Sequence, residues 1–163
     1  MSEAQAEKEM AVAVAVVQGR GWPFNSSDGC LFAETKTDVP YEVWIESLPD
    51  PNLLQIALSF PYQIRKGKLS GKLNAIVVQA NRQLTFGSFY YNEVFGSIGF
   101  THAIHTKGVP EEALEGHLEQ TLDSAEFVCN HFFPVLKELV RRNVEDEEIP
   151  HLIRLAFDES GTA

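Results

Sequence analysis

Histidine is the side chain best placed to do acid–base or metal chemistry near neutral pH, and this chain has five. His102 and His105 lie three apart in a stretch that reads as a strand. Strand side chains alternate faces, so these two point to opposite sides and cannot chelate one ion without a bulge. His117 and His131 fall on one face of a predicted helix. Their spacing puts them about 21 Å apart along its axis, too far for a common ion within one subunit. Cys129 stands two residues before His131, so the two diverge around the helix and do not form a Cys–His catalytic pair. It falls in an apolar stripe and reads as a core residue.

Other chemical signals are weaker. Gly67-Lys68-Leu69-Ser70-Gly71-Lys72 follows a strand and precedes a helix, as a phosphate-binding loop does. The Walker pattern needs four residues between its glycines and a Ser or Thr after the lysine; here there are three, and Leu73 follows. What is left is a basic turn, Arg65, Lys66, Lys68 and Lys72, suited to meeting an acidic tail of a neighbouring subunit. Cys30 and Cys129 have no CxxC spacing and read as reduced thiols. No GxSxG, HExxH or EF-hand loop is present, and the acidic run Glu145 to Glu148 lacks calcium-loop spacing. No catalytic residue, metal ligand or cofactor is therefore expected. A small metal-dependent hydrolase using His102 and His105 is the alternative.

The elements that must position these residues come from periodicity. Ala4 to Gln18 is rich in Ala and Glu, without Gly or Pro, and predicts a helix ended by Gly19 and Gly21. Pro23 to Gly29 reads as a turn region. Cys30 to Thr35, Tyr41 to Ser47 and Leu53 to Tyr62 predict three strands joined by short turns, an antiparallel meander. Apolar residues at 69, 73, 76, 77, 80 and 84 predict a helix, and Ser88 to Asn92 with Ser97 to Thr106 a hairpin. Pro110 opens the longest helix, with Glu111 and Glu112 on the positive end of its dipole. Pro134 inside it predicts a kink near residues 130–133. The order α-β-β-β-α-β-β-α predicts an α+β fold, an antiparallel sheet of about five strands with helices on one face. Residues 1–145 form a single domain, and 146–163 an acidic, then apolar tail. Ile149, Leu152 and Ile153 would dock that tail on the domain or on a second subunit, unless it is a disordered interaction motif.

Composition narrows the partner. A net charge of −10 argues against nucleic acid and against an anionic membrane. The apolar run Met10 to Val17 is too short to span a bilayer, and the charges before it have the wrong sign for a secretory signal, so a cytoplasmic location is expected. Along Tyr41 to Ser47, Glu42, Trp44 and Glu46 face away from Tyr41, Val43 and Ile45. With helices on one sheet face only, Trp44 is expected either to be exposed on the other face, with Tyr90 on the same side, or to pack under the N-terminal helix or a dimer mate. Aromatics outside a core suit a binding surface.

The chain resembles the YbjN-like family of bacterial sensory-transduction regulators in its element order, small size and acidic balance. The resemblance is carried by the stretch Leu73 to Val140. It holds Asn81-Arg82-Gln83-Leu84-Thr85-Phe86-Gly87-Ser88-Phe89 after an amphipathic helix, then a hairpin, then Gly108-Val109-Pro110-Glu111-Glu112-Ala113-Leu114 opening the final helix. It covers residues 25–142. It implies the fold of the type III secretion chaperones, a homodimer with a chaperone-like surface, and no enzymatic activity. The expected function is a non-catalytic binding module, chaperone-like or regulatory, whose partner is another protein or peptide.

Overall fold

The computed structural model describes residues 3–65 and 67–158. Lys66 of the basic turn and the last five residues of the tail lie outside them.

Helix α1, Glu3–Gly19, turns Val12, Ala13, Val16 and Val17 inward. That spacing is helical, so the Val12, Val14, Val16 alternation does not make a strand. Gly21, at φ 67°, turns the chain away from the helix. At this corner Arg20 fastens α1 to the long helix: its guanidinium donates to Asp123 at 2.6 Å and to Glu126 at 3.1 Å.

Six strands follow among the described residues, where about five are expected from the sequence. The additional one, β1 (Phe24–Ser27), lies in the predicted turn region, and all four of its residues are exposed. It shows no apolar alternation because it has no buried face. The Asp28–Gly29 turn creates it: both residues adopt positive φ, as a tight hairpin needs, so Ser27 pairs with Cys30. Strands β2 (Cys30–Glu34), β3 (Glu42–Leu48) and β4 (Leu53–Gln63) form the expected meander. Strands β5 (Ser88–Asn92) and β6 (Ser97–His105) form the hairpin. The sheet is antiparallel, in the order β1-β2-β3-β4-β6-β5.

Helix α2, Lys68–Asn81, crosses from β4 to β5. It ends three residues before Leu84, where the chain tightens into i→i−3 hydrogen bonds from Arg82, Gln83 and Leu84. The cause lies in Asn81. Its amide accepts from the Phe89 N–H at 2.6 Å and donates to the Phe89 carbonyl at 3.0 Å. A side chain thus takes the place of a neighbouring strand on the outer rim of β5, which would otherwise offer unpaired backbone groups. Replacing Asn81 with alanine strands both groups and should cost about 1–3 kcal/mol. Urea unfolding measures that loss, and hydrogen exchange at the Phe89 amide should quicken. An unchanged midpoint would show that the rim needs no such cover.

Helix α3, Glu111–Arg141, runs as one helix through Pro134 and buries Leu114, Leu118, Leu122, Ala125, Cys129 and Phe132 against the sheet. An aromatic cluster forms the centre of the core. Phe132 packs on Phe89 at 4.3 Å between ring centroids and on Phe60 at 5.8 Å, and Tyr41 meets Phe60 edge-on. The tail is helical as well: α4, Ile149–Asp158, packs on α2 and α3. Lys72 draws it in, donating to the Val144 carbonyl at 2.7 Å and pairing with Asp146 at 3.4 Å. One cation of the basic turn therefore meets the acidic segment of its own chain. Helices α1, α2 and α3 contact the side of the sheet that carries Ile45, Ile56, Leu58 and Phe100.

Candidate functional site

The opposite side of the sheet carries no helix among the described residues. Register alone sets what stands there. One cross-strand row reads Phe32, Trp44, Ala57, Thr101. The next reads Glu34, Glu42, Ser59, Gly99, Tyr90. A third holds Cys30, Glu46, Gln55 and Ala103. Large rings thus occupy β2 and β3, while Ala57, Ser59 and Gly99 keep the middle of the sheet low. The outcome is a groove of about 760 Å³, with Phe32 and Trp44 at one end and Tyr90 and Phe95 at the other.

Both ends are aromatic, but they are held differently. Phe32 and Trp44 lean together at 5.2 Å between centroids and are 48% and 46% exposed, so this pair is presented to solvent rather than packed away. Tyr90 is half-buried and shares a 2.7 Å hydrogen bond with the Ser59 hydroxyl. It lies over Gly99, where a Cβ would come within 2.8 Å of the phenol oxygen and would also strike the Leu58 carbonyl. Glycine is what allows that ring to lie flat on the sheet. Burial raises the Tyr90 phenol above its usual range, against the lowering effect of Ser59, so the ring stays neutral. Phe95, 73% exposed, overhangs from the β5–β6 turn.

The charge in the groove has one sign. Glu42 and Glu46 line it on either side of Trp44. Glu34 stands directly across from Glu42, a like-charge pair that works against the sheet. Among the described residues none of these three carboxylates takes part in an ion pair.

The remaining residues singled out from sequence lie elsewhere. His102 turns to the helix side, edge-on to Phe86 at 5.5 Å, and partial burial lowers its pKa. His105 is exposed at the end of β6, on the opposite face. No group of three or more His, Cys, Asp or Glu side chains suited to hold a metal ion occurs among the described residues. Cys129 is fully buried, and that burial pushes its thiol far up, leaving no nucleophilic thiolate. Ile149 and Ile153 are buried against their own domain, with Leu152 partly buried beside them. Phe32 and Phe95 were not singled out. The signal for Phe32 was present in the alternation Leu31, Phe32, Ala33, but Phe95 sits in a turn, where no periodicity assigns a face.

A model of the YbjN family, described as "Putative bacterial sensory transduction regulator", matches residues 14–138, well over half of the 163-residue chain. The chain belongs to the YbjN family. No curated protein and no solved structure matches it. The YbjN match runs from within α1 to near the end of α3, so it takes in every strand of the open face and stops before α4. The family description points to regulation, and no helix among the described residues is long and apolar enough to cross a membrane.

Proposed function

We propose that this YbjN-family protein is a non-catalytic binding module, chaperone-like or regulatory, that acts in the cytoplasm as a homodimer and takes a protein or peptide on its open sheet face. The observation that carries the reading is the exposed Phe32–Trp44 pair over a groove whose floor is kept low by Ala57 and Ser59. Exposed aromatic anchors beside a trough are the usual core of a protein-binding surface, and extended peptides fit a sheet face by alternate side chains. The metal-dependent hydrolase built on His102 and His105 gains no support, since the two histidines face opposite sides of β6.

Capture from a bacterial lysate tests the face, using the native protein beside a Phe32→Ser, Trp44→Ser variant. A partner held by the native face and lost with the variant is expected. Partners retained equally by both would remove the open face from consideration. Light scattering after size exclusion should give twice the chain mass; a monomer at micromolar concentration would end the homodimer reading.

A further inference from the structure

We infer that the open-face groove is built for an extended segment bearing arginine or lysine, one cation resting on the Trp44 ring between the carboxylates of Glu42 and Glu46. This rests on the proposed binding role of that face and names the chemistry of its partner.

Three observations converge on a cation. Trp44 is exposed, and tryptophan offers the strongest ring face for a cation. Glu42 and Glu46 flank it two residues away on the same strand face, about 7 Å to each side. A long basic side chain on Trp44 would lie within reach of either carboxylate. Among the described residues no lysine or arginine lines the groove, and the glutamates take part in no ion pair. Charge that is exposed, unneutralised and gathered around an aromatic is complementary to a basic partner.

The like-charge contact between Glu34 and Glu42 points the same way. Opposed carboxylates weaken a sheet, and an arriving cation relieves that repulsion. The same charges disfavour a second copy of this chain on this face. A two-fold contact through this face would bring its acidic patch, Glu34, Glu42 and Glu46, against the same acidic patch of the second copy. A homodimer should therefore form through another surface and leave the groove free.

Three short peptides alternating leucine with arginine, serine or glutamate provide the test, titrated into the full chain by calorimetry. The arginine peptide should bind at least about tenfold tighter than the serine peptide. Raising the salt from low to physiological strength should narrow that advantage, because Glu42 is exposed and Glu46 only partly buried. A Glu42→Gln, Glu46→Gln variant should lose about tenfold for the arginine peptide and nothing for the serine peptide. Glutamine keeps the side-chain shape and removes the repulsion with Glu34, so this variant should melt no lower than the native protein. Equal binding of the arginine and serine peptides, or undiminished arginine binding by the variant, overturns the inference. If the serine peptide still binds in that case and Trp44→Ala abolishes it, the open face keeps its role and only the basic partner is lost. Binding by none of the three overturns the inference too, and the lysate capture then judges the face independently.

Discussion

Phe132→Ala should remove about 3–5 kcal/mol of stability, a large part of the total that holds a domain of this size. The ring is fully buried in α3 and sits where the sheet and the helix layer meet. It touches Phe60 from β4 and Phe89 from β5, strands at which two halves of the sheet arrive by different routes. Truncation leaves a cavity that those rings cannot close, because Phe60 is also held by Tyr41 and Phe89 by Phe100. Urea unfolding should show a lower midpoint with an unchanged slope. Phe133 supplies the comparison. It is only partly buried, stacked on Tyr62 at 5.8 Å, and its alanine variant should cost clearly less. A loss below about 1 kcal/mol for Phe132→Ala would mean that the α3–sheet packing described above is wrong.

Trp44→Ala should do the reverse: leave the fold almost untouched and remove most of the binding. The side chain is 46% exposed and packs chiefly on Phe32, so its deletion should shift stability by no more than about 1 kcal/mol. A central aromatic anchor, by contrast, contributes about 2 kcal/mol or more to a protein interface, or about a thirtyfold weaker complex. Fluorescence separates the two tryptophans. Trp22 is buried beneath the Arg20 guanidinium, and Trp44 faces solvent, so the red-shifted emission belongs to Trp44. A partner that engages the groove should change that emission, and the change should vanish in the variant. Full-strength binding by Trp44→Ala would place the partner elsewhere. The apolar hollow of about 490 Å³ between Phe86, Phe127 and Phe157 would then be examined first.

Much of the site was legible along the chain because a strand shows its two faces two residues at a time. Val43 and Ile45 read as inward, so Glu42, Trp44 and Glu46 had to read as outward, and they stand there. Tyr90 follows from the same rule on β5. The groove itself was not legible. It needs Ala57, Ser59 and Gly99 to come into register with Trp44 and Tyr90, and that register joins residues far apart in the chain. The floor residues look like unremarkable strand positions until their neighbours are known.

Local patterning by itself determined the first three helices, the meander, the final hairpin and the strand face that Trp44 shares with Glu42 and Glu46, since each depends on periods of two or 3.6 within one segment. It also determined an acidic chain whose element pattern is that of the YbjN family. Tertiary structure alone decided the rest. β6 rather than β5 joins β4, leaving the short strand on the rim under Asn81. The exposed residues of β1 become a strand because the Asp28–Gly29 turn returns them to β2. The amphipathic tail finds its place against α2 and α3 by burying Val144, Ile149 and Ile153, with Lys72 reaching Val144 and Asp146 beside them. These are pairings between distant segments, and no local period encodes which distant segment a face will meet.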